Sequence, residues 1–457
     1  MIRSSSSRPG RRGALAATGL SLALLLASCA QPQVPSRPID VERVLQQARV
    51  ERAECPSGTL VLDEAVALMR RHNPEIRKAR ADAEAARRFA ATPTPDPNPT
   101  IGLGPLLLGG GDILSSAELG VTAALGWTVL LTDTPVLTND VNRVRAEAAL
   151  TEAAATEREQ YLGLRGEFAE VILQQDLRRA RADLAQAARS SAEIAEQGVT
   201  AGEMTALDVH LIELEIAEIQ AEFLETEEDL ALAAGRLGVR TGTTVETGRT
   251  VPAARELPPL PDAVPSLETL QRTVIDHHPR LSALRADYLV VEKELRLEYA
   301  KAYPSLGVGV EYENEGAEGN ILGLPLGIEI PLFDRNQPGI AEKCAQRDAL
   351  RKRFQAEVNR IFAEVEIARS RLEVRRRQLA LRASQLTPSE ETRQLAETVL
   401  QQTGTLDMLR YLEVLRATRR ATVSFLAARL HVYEGWSELE QACGGPLLRF
   451  GTEPGDA

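Results

Sequence analysis

Residues 304–332 alternate between apolar side chains and small or acidic ones, with the period of two that is typical of a β-strand. The apolar set comprises Leu306, Val308, Val310, Tyr312, Leu322, Leu324, Leu326, Ile328, Ile330 and Leu332. A short loop at residues 314–320 divides the segment into two strands. The pattern therefore predicts a β-hairpin over residues 304–333, one face of which is continuously apolar.

The same design occurs about 200 residues earlier. Pro99 and Gly102 stand 205 positions before Pro304 and Gly307, and further landmarks keep this register. A register that is held across several landmarks indicates an internal duplication. We therefore predict a first β-hairpin over residues 99–131.

Outside the hairpins, apolar residues recur every three or four positions over long proline-poor segments, which predicts long α-helices. We expect helical hairpins over residues 139–237 and 338–442, and a shorter helix before each β-hairpin. The two structural repeats then cover residues 59–237 and 266–443. A Thr-, Gly- and Pro-rich linker over residues 238–265 joins them.

Four strands per chain leave two open sheet edges. Unpaired N–H and C=O groups cannot lie in hydrocarbon, so several copies must close one barrel if the apolar faces contact lipid. The alternative from the residues alone is a soluble four-stranded sheet that packs on a helix. Because the predicted helices are too long for a compact globule and the N-terminus resembles an export signal, we favour the lipid-facing sheet and predict a fold class that is mainly α with a transmembrane β part.

The composition and the motifs of the sequence exclude several classes of protein. The formal charge of -12 makes a nucleic-acid binder improbable, and only 4% of the residues are aromatic. The sequence contains no phosphate-binding glycine loop, nucleophile elbow or Cys-x-x-Cys motif, and His277 and His278 have no second ligand cluster nearby. We therefore assign no catalytic residue, no metal site and no cofactor, and expect a protein that is not an enzyme.

The N-terminus has the features of an export signal. Residues 1–28 combine a basic start with an apolar run that is too short to span a bilayer as a helix. The run ends at Cys29 in a sequence that resembles a bacterial lipobox, which implies an acylated Cys29 and a lipoprotein of the outer membrane. We predict an irregular tether over residues 29–58 and a flexible tail over residues 444–457.

Two further cysteines lie near the ends of the mature chain. Cys55 and Cys443 are candidates for a disulfide, because the periplasm permits one. The alternative is that both are buried thiols.

With the duplication, the hairpins, the paired helices and the lipobox together, the chain resembles the TolC family of outer-membrane efflux ducts over nearly all of its mature length. The supporting segments are residues 62–65, 73–75, 278–279 and 303–306 and the two turns of the helical hairpins. The resemblance implies a homotrimer with a twelve-stranded β-barrel in the outer membrane and a twelve-helix α-barrel across the periplasm. It also implies a periplasmic adaptor protein and an inner-membrane pump of the resistance-nodulation-division type as partners.

The resemblance assigns roles to residues at the periplasmic tip. The implied adaptor-contacting residues are Thr200, Ala201, Gly202, Glu203, Thr403, Gly404 and Thr405. Asp208 and Asp407 match gate aspartates of the family, but the second acidic ring position is Arg410 here. This departure argues against a strongly acidic constriction, since Arg410 would partly neutralise Asp407. For both aspartates, helix N-capping is the simpler alternative.

Within the family, residues 331–337 resemble the heavy-metal efflux ducts of the cobalt-zinc-cadmium type. This resemblance places export of metal cations slightly ahead of drug export. The competing hypothesis from another class is a lipid-anchored periplasmic coiled-coil scaffold without a pore. The two hypotheses differ in whether the apolar faces of the strands contact lipid or pack within the protein.

Overall fold

A computed structural model describes most of the chain, which divides into the units Met1–Val50 and Glu51–Ala457. The described residues are 37–53, 58–109, 117–200, 205–243, 250–252, 257, 259–314, 319–403 and 408–447. Of the helices in these ranges, none combines the length and the apolar character that a bilayer-crossing helix requires.

Helices dominate the structure and alternate with short strands. The helices are α1 Val41–Ala53, α2 Leu62–His72, α3 Pro74–Ala90, α4 Thr134–Thr200, α5 Ala206–Thr241, α6 Leu267–His277, α7 Pro279–Lys301, α8 Gln337–Thr403 and α9 Met408–Cys443. The strands are β1 Gly58–Leu60, β2 Thr100–Gly109, β3 Ala117–Leu130, β4 Thr250–Pro252, β5 Ser305–Asn314, β6 Asn320–Gly323 and β7 Leu326–Glu329.

The two halves of the chain repeat each other in element length. Helices α2 and α6 each have 11 residues, and strands β2 and β5 each have 10. The long helices α4 and α8 each have 67 residues, and the returning helices α5 and α9 each have 36. At 1.5 Å per residue, α4 and α8 are about 100 Å long. The predicted helical hairpins are therefore present, and they start and end a few residues outside the predicted bounds.

The four long helices pack side by side in the order α5–α4–α9–α8. One ion pair marks each of the three contacts: Arg240–Glu167 at 2.7 Å, Arg165–Glu440 at 3.1 Å and Glu438–Arg375 at 3.2 Å. Helices α5 and α8 therefore form the two edges of this layer.

The main hydrophobic core lies where α2, α3 and α6 pack against the long helices. Trp436 of α9 and Phe168 of α4 are fully buried there, as are Met69 and Ile76 from the first repeat. The start of α3 in this region is stabilised by a side-chain cap. Asn73 Oδ1 accepts hydrogen bonds from the N–H groups of Glu75 and Ile76 at 2.9 and 3.1 Å, which caps α3.

Glycines end α5 and α9 in the same way. Gly242 and Gly444 have φ angles of +72° and +71°, a conformation that glycine adopts readily. A Cβ atom on Gly242 would lie 2.4 Å from the carbonyl oxygen of His72, and one on Gly444 would lie 2.5 Å from Cδ of Pro279. Each helix end therefore packs directly against the start of a capped helix of its own repeat, α5 against α3 and α9 against α7.

Two segments differ from the sequence expectations. The predicted tether over residues 29–58 contains helix α1, which forms because Asp40 Oδ1 accepts from the Arg43 N–H at 3.1 Å and no glycine or proline follows. The predicted linker over residues 238–265 contains β4, which pairs in parallel with β1. Three-residue strands are too short to show a periodicity, so this pairing could not be predicted from the sequence.

Candidate membrane-facing sheet and helical tip

The main sheet has four strand lines, in which β6 and β7 together form the fourth line. The register of the sheet brings the alternating apolar residues of these lines onto one face. Strand β3 pairs antiparallel with β2 on one side and with β5 on the other, and β5 pairs with both β6 and β7. Ile101 lies opposite Leu125, which lies opposite Val310, and Trp127 lies opposite Val308. Side chains directly opposite one another point to the same side of a sheet. The alternation predicted from the sequence is therefore confirmed, and we call this side the apolar face.

The apolar face is exposed rather than packed against helices. Ile101 is 67% exposed, Leu103 is 65% exposed and Leu326 is 73% exposed. Ile328 and Leu322 are likewise exposed, at 59% and 72%. A soluble sheet would bury these side chains in its own chain, so the exposure argues against the alternative of a sheet packed on a helix.

The opposite side carries small and acidic residues, and we call it the small face. Gly126, Gly307 and Gly309 lie on it, and so do Glu311 and Glu313. The strands contain no Lys or Arg, so every charged residue of the described strands is acidic. The two faces thus differ in polarity as a membrane barrel requires of its outside and its bore.

The fourth strand line is interrupted, unlike the continuous strand that was predicted. Strand β6 ends at Gly323 and β7 begins at Leu326, although Gly309 N–H still donates to the Pro325 carbonyl at 2.9 Å. Pro325 has no N–H and cannot complete a ladder, which breaks the strand. The strand also stops at Glu329, before Pro331, instead of continuing to residue 333.

The sheet ends in two edges. The strand order is β2-β3-β5-β6, with β7 also on β5, and in the described chain nothing pairs with the outer side of β2 or of β6 and β7. Open edges expose backbone donors and acceptors in rows. The sheet is therefore incomplete in one chain if it enters a membrane.

Two of the predicted tip residues, Thr200 and Thr403, end the long helices α4 and α8. The Thr200 hydroxyl donates to the Glu196 carbonyl at 2.7 Å. Asp208 lies in the first turn of α5. The remaining tip and gate positions, Ala201, Gly202, Glu203, Gly404, Thr405 and Asp407, lie outside the described residues.

Arg410 is exposed near the start of α9. It lines an open groove of about 400 Å³ between α8 and α9, together with Ser389, Thr392 and Glu413. The proximity of Arg410 to Asp407 stays a prediction, because Asp407 is outside the described residues.

One charged group near the tip was not predicted from the sequence. Glu215 of α5 is 4% exposed and accepts hydrogen bonds from Arg416 at 2.6 Å and from Arg419 at 2.7 Å, both on α9. These interactions join the two helical hairpins about two to three turns above the start of α5. These interactions could not be predicted from the sequence, because each residue resembles an ordinary charge on a helix face.

The cysteines are partly described. Cys443 is fully buried in the main core, and burial raises the pKa of its thiol to about 12. Cys29 and Cys55 lie outside the described residues, so both the acylation and the disulfide stay predictions. Over the described ranges, no group of three or more His, Cys, Asp or Glu side chains has the arrangement of a metal site.

His278 is a helix cap, as the sequence allowed. It is 4% exposed, and its Nδ1 atom accepts from the Arg280 N–H at 3.2 Å, which starts α7 as Asn73 starts α3. Burial, and to a smaller extent the charge of Arg280, together lower the pKa of His278 from 6.5 to about 4, against the opposing charge of Glu159 and Glu357. A neutral imidazole is the state that can accept this hydrogen bond.

The cap predicts acid sensitivity. Between pH 6.5 and 4 the unfolded chain binds a proton at His278 and the folded chain does not, so stability falls as the pH falls through this window. At pH 5 the loss is about 2 kcal/mol per chain relative to pH 7.5. The variant His278→Asn keeps an Asn73-like cap without a titrating group and should show a smaller loss. Thermal melts of both proteins at the two pH values measure this; equal losses would contradict it.

The comparisons with known proteins agree with this geometry. No model of a protein family matches the chain. The cobalt-zinc-cadmium resistance protein CzcC of Cupriavidus metallidurans is 22% identical over 279 residues, which cover 61% of this chain and 66% of that protein. The chain thus matches just under two thirds of the length of this curated relative.

Solved structures match over more of the chain. The outer-membrane channel OprN superimposes with a TM-score of 0.65 at 17% identity, covering 91% of this chain and 97% of that one. The CmeC outer-membrane channel of Campylobacter jejuni gives 0.66 at 12% identity, covering 86% and 87%. CusC, whose structures concern transmembrane channel formation, gives 0.64 at 16% identity, covering 84% and 92%. These neighbours are TolC-family outer-membrane channels, and the present chain has their fold, as its repeated hairpins and helices predicted.

Proposed function

We propose that three copies of this chain form the outer-membrane exit duct of a tripartite efflux system. Each copy contributes four strand lines to a twelve-stranded barrel and four long helices to a twelve-helix tube. The observation that carries the proposal is a sheet with an exposed apolar face and two unpaired edges. In hydrocarbon each unpaired backbone group costs several kcal/mol, so the sheet requires further copies to close it.

The scaffold hypothesis is less well supported. A lipid-anchored scaffold without a pore would keep the sheet in water, where its apolar face needs a cover. Leu322, Leu324 and Leu326 are 72%, 75% and 73% exposed in the folded chain, which is costly in water and favourable in lipid.

The proposed location is the outer membrane of a Gram-negative bacterium, with the long helices in the periplasm and an acylated Cys29 as an additional anchor. The tip at Thr200 and Thr403 would meet the periplasmic adaptor, which connects the duct to an inner-membrane pump. Asp208, Asp407 and Arg410 would determine how strongly the closed tip resists the passage of ions. The duct itself would carry out no catalysis and need no cofactor.

The acidic residues of the small face favour cations as the class of substrate. Glu311 and Glu313 lie on this face, which would line the bore, and Glu329 lies in the same register at the end of β7. Carboxylates that line a pore favour cations over anions. The relative CzcC is a cobalt-zinc-cadmium resistance protein, which agrees with this class.

Planar-bilayer recordings of the purified protein test the proposal. Stepwise conductance with a reversal potential that favours cations is expected, since the bore carries net negative charge. The variant Glu311→Gln/Glu313→Gln should keep its conductance steps and shift the reversal potential toward zero. Asp407→Ala in the same recordings should raise the open fraction.

The absence of steps from a folded, detergent-solubilised protein would exclude the duct. Conductance with unchanged ion preference in the double glutamine variant would leave the duct intact but reject the role of the small face.

A further inference from the structure

The turn that joins β7 to α8 is fixed by side-chain hydrogen bonds, and we call its residues 331–337 the elbow. Gln337 connects the two sides of the turn. Its Nε2 atom donates to the Phe333 carbonyl at 3.0 Å, and its Oε1 atom accepts from the Arg335 N–H at 2.9 Å. The Arg335 Nε atom donates in turn to the Pro331 carbonyl at 3.2 Å. The backbone of the elbow is therefore held in one conformation.

A second set of bonds holds the elbow against the end of α7. Asn336 has a φ angle of +56°, and its Nδ2 atom donates to the Glu298 carbonyl at 2.9 Å and to the Glu298 carboxylate at 2.6 Å. The Asn336 N–H donates to the Asp334 carboxylate at 2.9 Å. The elbow and the last turn of α7 therefore form one unit.

This unit presents three aromatic rings and a cation that the chain leaves exposed. Phe333 is 92% exposed, the highest value among the large apolar side chains that the structure describes. Tyr299, which follows Glu298, is exposed, and so is Tyr303, which lies just before β5. Arg335 is also exposed, and within the described residues its two terminal nitrogens have no hydrogen-bond or ion-pair partner. We call Tyr299, Tyr303, Phe333 and Arg335 the elbow patch.

The first repeat passes from strand to helix without these side chains. The offsets of 201 and 205 positions between the repeats place threonine or asparagine at all four equivalent positions: Thr132 for Phe333, Thr134 for Arg335, Thr94 for Tyr299 and Asn98 for Tyr303. Its turn nevertheless contacts the end of α7, since the Thr132 hydroxyl donates to the Ala300 carbonyl at 3.3 Å. Aromatic rings and a cation are thus not needed for a strand-to-helix turn, and we infer that they serve a contact outside the chain.

The elbow patch lies at the edge of the apolar band of the sheet. Ser305, the first residue of β5, is five positions from Val310, the sixth of its ten residues. At about 3.4 Å per residue and a strand tilt of about 40°, this separation is about 13 Å along the membrane normal. Half of an apolar band that is about 25 Å tall is about 12 Å. The patch lies just beyond Ser305 and its partner Glu329, so it falls at the level of the lipid headgroups.

The patch lies on the outer side of the proposed tube. The Arg285 side chain donates to the Ile275 carbonyl of α6 at 2.8 Å, which marks the side of α7 on which α6 packs. Tyr299 is fourteen residues further along α7 and returns to that side within about 40°. A short helix such as α6 leaves the bore open only if it lies outside the tube. Tyr299 is therefore adjacent to lipid and not to the bore.

A phospholipid has the chemistry that this patch fits. Aromatic side chains favour the boundary between hydrocarbon and water. A guanidinium group binds phosphate oxygens through parallel hydrogen bonds, and the terminal nitrogens of Arg335 are available for them. The adjacent Asp334 carboxylate is engaged by the Asn336 N–H. Phe333 follows directly on Leu332, the last residue of the apolar alternation, so a lipid bound here would continue the contact of the apolar face.

We propose that the elbow patch binds one phospholipid of the periplasmic leaflet, with its phosphate on Arg335 and its acyl chains beside Phe333 and the apolar face. Three copies bind three such lipids around the foot of the barrel. The inference rests on the membrane barrel proposed above and deepens it, because it names a class of lipid ligand and the residues that bind it.

Native mass spectrometry of the detergent-solubilised trimer with added phosphatidylglycerol counts the bound lipids. The parent should retain three per trimer. The variant Phe333→Thr/Arg335→Thr carries the residues of the first repeat and keeps the Gln337 bonds, which use backbone atoms of both residues. It should bind the lipid about tenfold more weakly, because a charge-assisted hydrogen bond is lost. Its conductance should not change.

The matched control is Arg88→Thr/Phe89→Thr. It removes the same two residue types from exposed positions near the end of α3, where Phe89 lies eleven positions before β2 and so below the headgroup level. This variant should bind lipid like the parent. Two single variants separate charge from folding: Arg335→Lys should retain three lipids, and Arg335→Gln should lose them.

Several results would overturn the lipid site and leave the duct standing. One is a conducting parent trimer that retains no lipid, and another is equal lipid binding by Arg335→Lys and Arg335→Gln. An equal affinity for inorganic phosphate would show that the rings contribute nothing. If the double threonine variant lowers the dissociation temperature of the trimer in lipid-free detergent, the patch is a contact between copies instead. A parent without trimers or conductance would reject the proposed function itself.

Discussion

Replacing Val310 by arginine is expected to abolish assembly of the protein in the outer membrane. Val310 is the sixth of the ten residues of β5 and lies on the apolar face opposite Leu125, which places it near mid-depth of the barrel. A lipid-facing arginine at mid-depth costs about 2 to 4 kcal/mol, and a trimer carries three. The measurement is the amount of heat-modifiable trimer in outer-membrane fractions.

The neighbouring residue provides the control. Glu311 lies on the small face, so Glu311→Arg adds a positive charge at the same depth without placing it in lipid. This variant should insert and form trimers, and only its ion preference should change. If Val310→Arg assembles as well as Glu311→Arg, the apolar face does not contact lipid and the proposed barrel is wrong.

The second large effect is expected from Glu440→Gln. Arg165 and Glu440 are 1% and 2% exposed and pair at 3.1 Å, and Leu447 N–H also donates to the Glu440 carboxylate at 2.7 Å. Burial alone would lower the pKa of Arg165, but the charge and hydrogen bonds of Glu440 raise it above its ordinary value. Removing the carboxylate charge leaves a buried guanidinium without its counterion, which typically costs about 3 to 5 kcal/mol.

Thermal unfolding in detergent at neutral pH measures this effect. The matched control is Glu84→Gln, since Glu84 and Arg88 form an ion pair with 47% and 79% exposed side chains. Exposed pairs contribute about 0 to 1 kcal/mol, so this variant should melt almost like the parent. Equal melting temperatures for the two variants would show that the buried pair does not hold α4 to α9.

The candidate site could be predicted in part. The period of two identified both hairpins and the face of Val310, because alternation is a local property of an extended backbone. The same pattern of apolar residues continues across Pro325 and Pro331, where the strand in fact breaks. The alternation of side chains does not show that proline lacks the backbone N–H that a strand needs for pairing. The tip turns were located from glycines and the helical pattern, whereas the Glu215 link between α5 and α9 was not foreseen.

The sequence alone determined the kinds of element, their duplication and which strand residues share a face, because these follow from neighbours two to four positions apart. The capped starts of α3 and α7 are local features of the same kind. Only the tertiary structure decided the order α5–α4–α9–α8, the burial of Arg165 with Glu440 and the contact of Glu215 with Arg416 and Arg419. Those features depend on contacts between residues 63 to 275 positions apart, which no local pattern encodes.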